Sequence, residues 1–268
     1  MTPKNPAPSP APWRKTFLSH IQDMGLPTCS FSTLHYETPS SAGATPQVTP
    51  RSRTVVFRGL WASLNPNPKN PAPLNPSVYE SDLLTITNDA RMQKTTELYQ
   101  SGAEDAAASK SQSGGGGPVE AVFWAEPSRT QWRVRGHAYV LGPDIDSESA
   151  APVKTAIERR MRLKGSEDSA GWDWGCELTA HFGNLSPGMR GSFRNPRPGT
   201  PLSEKPAPGL ALGQKVEDLH DGIARENFRV VVIVPEEVDQ VDLSDPDLGR
   251  RWNYKLVDES WVTTELWP

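Results

Sequence analysis

The sequence predicts a mainly β protein: an antiparallel β-barrel with helices appended to it. Three observations carry this reading. Short segments rich in β-branched and aromatic residues recur along the chain, separated by Gly-, Pro- and Asn-rich turns. Few helical patterns fall between consecutive strands, which argues against a doubly wound sheet. The order is a helix, a run of strands, a helical excursion and more strands, which suits a closed antiparallel sheet.

Residues 1–11 are proline-rich and read as a disordered tail, leaving 12–268 as a single domain. Pro12-Trp13 opens a short amphipathic helix: Trp13, Phe17, Leu18 and Ile21 fall at helical spacing, and Gly25 and Pro27 end it. Residues 28–36 alternate as a strand, and 38–50 form a Ser/Thr/Pro/Gly loop. Arg51-Ser52-Arg53-Thr54-Val55-Val56-Phe57-Arg58-Gly59 follows as a strand with a β-branched centre and three arginines in nine positions. Buried guanidinium groups need acceptors or anions. In a regular strand Arg51 and Arg53 share one face and Arg58 points to the other, so this strand lies between two polar environments or is kinked at one end.

Asn-Pro units make a loop insertion of 65–77. Residues 82–87 read as a strand, and 91–99 as a helix with Asp89 near its start as a cap. A second insertion, 101–118, is of low complexity, with Gly114 to Gly117 as a flexible linker. This glycine run lacks the Lys-Ser/Thr of a phosphate loop. Residues 119–126 and 130–141 form a hairpin through Pro127-Ser128-Arg129. A basic helix over 155–163, a broken helix over 171–182 and a loop-rich stretch over 186–211 make up the excursion. Strands over 228–234, 238–243, 251–257 and 261–266 close the chain.

The chain of 268 residues has a net charge of −4, which weighs against a general nucleic-acid binder. Two cysteines, Cys29 and Cys176, make neither a disulfide framework nor a zinc site. The N-terminal residues carry no apolar signal-peptide core, and no run approaches the ~20 apolar residues of a membrane span. These features predict a soluble, cytoplasmic protein. There is no nucleophile triad, no Gly-x-Ser-x-Gly and no His/Cys/carboxylate cluster at metal-ligand spacing.

The informative pattern is a set of cationic and amide residues at strand ends. Arg53 and Arg58 flank one strand, Thr87-Asn88-Asp89-Ala90-Arg91-Met92-Gln93-Lys94 follows the next, and Gln131-Trp132-Arg133-Val134-Arg135-Gly136 lies in the long one. A phosphate dianion is held by guanidinium forks, an ammonium, hydroxyls and amides near a helix start. A planar heteroaromatic ring rests on apolar strand surface, with an amide or cation at its polar edge. Together these segments supply both. Arg91 and Lys94, three apart, fall on one face of the expected helix.

With these motifs, with Pro12-Trp13 and its helix, with Pro196-Arg197-Pro198-Gly199 and with Arg251-Trp252-Asn253-Tyr254, the sequence resembles the pyridoxamine 5′-phosphate oxidase-like family of FMN-binding split barrels. The resemblance implies that Arg53, Arg91 and Lys94 hold the FMN phosphate and that Thr87 and Asn88 add hydrogen bonds. It implies that Val56 and Arg58 lie near the flavin, Arg58 standing where lysine is more usual, and that Gln131 and Arg251 contact it. It also implies a homodimer with FMN at the subunit interface and a flavin-dependent oxidoreductase. Vitamin-converting oxidases grip their substrate's phosphate with an Arg-x-His pair; Asp247 and Gly249 stand there, which opposes pyridoxine phosphate oxidase activity by like-charge repulsion. The competing readings are a non-catalytic flavin or haem binder or scaffold on the same barrel, and a nucleic-acid binder using Arg133, Arg135 and Arg159-Arg160-Met161-Arg162.

Overall fold

The computed structural model describes residues 9–37, 47–102, 111–165 and 169–268. The tail and low-complexity expectations for 1–8, 38–46 and 103–110 lie outside the described residues. Helix α1 (Arg14–Gln22) precedes β1 (Thr28–Tyr36), β2 (Val48–Leu60), β3 (Tyr79–Ser81) and β4 (Leu84–Asp89). Helix α2 (Gln93–Gln100), β5 (Gly114–Ala125) and β6 (Thr130–Leu141) follow. The excursion comprises α3 (Ala151–Glu158), β7 (Met161–Leu163), α4 (Trp174–Gly183), α5 (Pro187–Gly191) and α6 (Gly222–Asn227). Strands β8 (Phe228–Asp242), β9 (Arg250–Val257) and β10 (Ser260–Leu266) end the chain.

The main sheet runs β10-β9-β8-β4-β2-β1-β5-β6, all antiparallel, and β6 also pairs with β8. That last pairing closes six strands into a barrel. The length of β8 splits it: one half pairs with β4, from Phe228 opposite Asp89 to Ile233 opposite Leu84, and the other half pairs with β9. The two strands expected at 228–234 and 238–243 are thus one, because Pro235, which has no N–H to donate, sits where the β6–β8 register shifts instead of ending the strand.

The unbroken apolar run at the start of β8 is covered on both faces. Val231 and Ile233 face the barrel core, whereas Val230, Val232 and Val234 join a second core with Phe182, Phe193 and Leu178. Phe17 of α1 plugs the barrel, edge-on to Phe57, Phe123 and Trp132 at 5.9, 5.2 and 5.5 Å. Asp82 fixes this plug: it accepts from Ala11 N–H and ion-pairs with Arg14 and with both terminal nitrogens of Arg162.

Three sequence expectations are corrected. Gly114 to Gly117 belong to β5 rather than to a linker. A Cβ on Gly117 would collide with Ser101 Oγ, so glycine is what lets α2 lie against the strand. The basic helix ends at Glu158; Arg162 sits in β7 and faces Asp82. Helix α2 begins at Gln93, and its N-cap Met92 offers no side-chain cap. Asp89 instead pairs with Arg91, which leaves Arg91 before the helix rather than on its face.

Candidate functional site

A groove of about 850 Å3 opens beside β2 and β4, walled on one side by these strands and the start of α2, and on the other by residues 189–212. Its position follows from an irregularity in β2. Phe57 pairs with Ile86 and Leu60 with Leu84, so Arg58 and Gly59 bulge out, and Gly59 takes a φ of +106° that glycine tolerates. Thr85 Oγ1 donates to Gly59 O at 2.8 Å and holds the bulge. Arg58 is thereby turned toward the groove, where its Nε donates to Thr87 Oγ1 at 3.3 Å. Of the two alternatives for the arginine strand, two polar environments or a kink at one end, the bulge supplies the kink.

Five of the nine predicted residues line this groove: Val56, Arg58, Thr87, Asn88 and Lys94. Among the described residues, neither Arg58 nor Lys94 has a carboxylate within ion-pair distance. Burial lowers the pKa of the Arg58 guanidinium. Burial, then the nearby Arg53 charge, pulls the Lys94 ammonium down to about 8, against a smaller opposing pull from Asp89 and Glu97. Among the described residues the Lys94 ammonium donates only to Met92 Sδ, at 2.8 Å, a weak acceptor. Asn88 gives its Nδ2 to Thr95 Oγ1 at 2.5 Å, and its buried Oδ1 has no hydrogen-bond partner. The wall therefore presents one half-buried and one buried cation without an ion-pair partner, and an orphaned acceptor, a set of groups suited to an anionic, hydroxylated ligand.

The other four predicted residues stand elsewhere. Arg53 lies on the opposite face of β2 and donates to Glu97 Oε2 at 2.7 Å and Thr33 Oγ1 at 2.6 Å; Glu97 is fully buried on the inner face of α2. Arg91 grips Asp89 through Nε at 2.9 Å and Nη2 at 2.6 Å, and gives Nη1 to Asn195 O at 2.9 Å. It ties the strand wall to the opposing wall and does not line the groove. Gln131 and Arg251 sit on one cross-strand row of the sheet, Trp124–Gln131–Val241–Arg251–Leu266, away from the groove. Arg251 and Arg133 share Asp239; burial would raise that carboxyl, but their hydrogen bonds outweigh it and lower its pKa.

Sequence reasoning missed most of the opposing wall. Met189, Phe193, Leu210 and Leu212 line it, and the only signal was the Pro196-Arg197-Pro198-Gly199 turn. His181 lies behind the groove, stacked on Trp61 at 5.6 Å and 11°. Burial, and then Arg58, lowers its pKa to about 4, so its imidazole is neutral, and it does not line the groove. Among the described residues no helix is long and apolar enough to cross a membrane.

Residues 10–142 match the family model described as pyridoxamine 5′-phosphate oxidase, FMN-binding domain. The uncharacterized protein YGR017W of Saccharomyces cerevisiae is 27% identical over 101 residues, which is 36% of this chain and 34% of that relative, so the match spans about a third of the relative's length. A crystal structure of a pyridoxamine 5′-phosphate oxidase-related, FMN binding protein from Nostoc punctiforme PCC 73102 aligns with a TM-score of 0.57 at 18% identity, over 97% of this chain and all of that one. PhzG from Burkholderia lata 383, in complex with tetrahydrophenazine-1-carboxylic acid, aligns at a TM-score of 0.39 and 13% identity over 95% of this chain and 87% of its own, too distant to argue from.

Proposed function

The chain belongs to the pyridoxamine 5′-phosphate oxidase-like family of FMN-binding split barrels, and from that premise we propose that it binds FMN in the groove beside β2 and β4 and serves as a flavin-dependent oxidoreductase. The observation that carries this is a pair of cations lining one groove, the half-buried Arg58 and the buried Lys94, that among the described residues have no carboxylate within ion-pair distance. Lys94, with the Arg53 charge behind it, holds the phosphate at the start of α2. Thr87 and Asn88 hydrogen-bond the ribityl hydroxyls, and Asn88 Oδ1 gains there the donor it lacks. Val56 offers apolar strand surface to the ring, and Arg58 meets its polar edge. Bound flavin supplies the redox chemistry; these side chains fix its position and the charge around it.

Gln131 and Arg251 enter the same reading through a homodimer. They share an outward-facing row with the exposed Trp124 and Leu266, which suits contact with the flavin of a second copy. Asp247 and Gly249 lie in the turn before β9 and offer no cation for a second phosphate. A vitamin phosphate is therefore disfavoured as the substrate. The nucleic-acid reading is weakened by pairing: Arg133, Arg135, Arg160 and Arg162 are all engaged by carboxylates. For haem, His181 is packed away from the groove.

Purified protein is expected to be yellow, with a flavin absorption spectrum and released FMN detectable after denaturation. Lys94→Met is expected to lower FMN affinity about 10- to 100-fold, the worth of one charge-assisted hydrogen bond to phosphate. Colourless protein with no measurable FMN affinity sinks the proposal.

A further inference from the structure

The two walls of the groove differ in chemistry. The strand wall carries Arg58 and Lys94, whereas the opposing wall is built from Met189, Phe193, Pro198, Leu202, Leu210 and Leu212. Several of these apolar groups face water: Leu202 and Leu212 are 102% and 74% exposed. Exposed apolar side chains gathered on one rim mark a binding surface rather than a folding requirement. The wall is held in place: Arg194 gives Nη2 to Gly209 O at 3.2 Å and pairs with Asp221, while Gln214 Nε2 donates to Gly209 O and Ala211 O at 3.2 and 3.0 Å. The ionisable groups this wall adds to the groove are Arg197 and Glu204, and among the described residues neither is ion-paired.

We infer that this half of the groove takes a planar, mainly apolar ligand bearing at most one negative charge, such as an aromatic carboxylate, as the substrate that meets the flavin. One guanidinium matches one carboxylate. A phosphate dianion would find a single cation on this wall for its two charges, and the Glu204 carboxylate that also lines the groove repels a dianion more than a monoanion. The inference takes from the proposed function only the placement of flavin on the strand wall.

The test is calorimetric titration of the FMN-loaded chain with 2-naphthoate and with pyridoxal 5′-phosphate. Naphthoate is expected to saturate one site and to bind about ten-fold tighter than pyridoxal phosphate. Leu212→Asp, at an exposed position that leaves folding intact, is expected to weaken naphthoate about ten-fold while FMN stays bound. Arg197→Gln is expected to weaken it about five-fold. Tighter binding of pyridoxal phosphate, or naphthoate binding indifferent to Leu212→Asp, overturns the inference. Lys94→Met separates the two readings: it should release FMN and keep naphthoate. If the wild-type chain takes naphthoate with the expected Leu212→Asp loss but holds no FMN, the flavin reading falls and the ligand class stands. If FMN binds and naphthoate does not, the ligand class alone falls.

Discussion

Lys94 is the residue whose behaviour separates an anion site from an accident of packing. Without a ligand its ammonium, ordinarily near 10.5, is lowered to about 8, chiefly by burial. The unfolded chain keeps that proton up to the ordinary value, so between pH 8 and 10.5 the unfolded state binds more protons. The flavin-free protein should therefore gain stability from this group as pH rises through that window, and carry the cost of a buried charge below it. A bound phosphate reverses the sign by favouring the ammonium, so FMN affinity should fall as pH climbs above about 8, approaching ten-fold per pH unit. Thermal melts of flavin-free protein and FMN titrations across pH 7–10.5 check both slopes, and Lys94→Met should flatten both; a pH-independent FMN affinity removes Lys94 from the phosphate site. Lys94 was legible in the sequence because a cation two residues into a helix after a strand is a local pattern. Arg53 and Arg91 look equally cationic in the sequence, but Arg53 is taken by Glu97 across a strand-helix contact, and Arg91 is taken by its near neighbour Asp89 and, across the groove, by Asn195 O.

At the scale of elements, the site depends on how closely α2 lies on β5, because α2 carries Lys94 into the groove. The glycine run sets that distance. A methyl at Gly117 would meet Ser101 Oγ and Leu98 O, so Gly117→Ala should push the helix outward and cost about 1–3 kcal/mol in urea unfolding. Ser101→Gly in the same chain should restore part of the loss, because it removes the nearer obstruction and leaves the Leu98 carbonyl. A Gly117→Ala chain as stable as wild type would mean that α2 is free to shift. Composition alone misread this segment: four glycines in a row look like a tether, and their role as a close-packing surface appears only when a helix from another part of the chain lies across them. Strands with alternating or β-branched patterns, such as β1, β6 and β9, were readable locally. The fusion of two expected strands into β8 was not, since a proline reads as a strand end until its partner strand shows a register shift there.

For the whole molecule, closure of the barrel by β6 and β8 decides what is left to face a second copy. That closure was foreseeable as a class, antiparallel and barrel-like, but the pairing order joins strands far apart in sequence and no local pattern encodes it. Its consequence is a broad outward face on β5, β6, β8 and β9. Its charges are largely self-paired, Arg135 with Glu120 and Glu237, and Arg133 and Arg251 with Asp239. Paired charges of this kind add little attraction of their own, so association would rest on the apolar members of the row through Gln131 and Arg251: Trp124, 48% exposed, and Leu266, 39% exposed. Burying an exposed tryptophan at an interface centre is commonly worth about 2 kcal/mol or more, so Trp124→Glu should raise the dimer dissociation constant at least about 30-fold. Sedimentation velocity of the wild-type chain is expected to show a dimer, and of Trp124→Glu a monomer at the same concentration. If Gln131 and Arg251 reach the flavin of the second copy, the monomeric variant should also hold FMN more weakly, although Trp124 lies outside the groove. A wild-type monomer that retains its flavin in full would confine the site to one chain and leave Gln131 and Arg251 without a role in it.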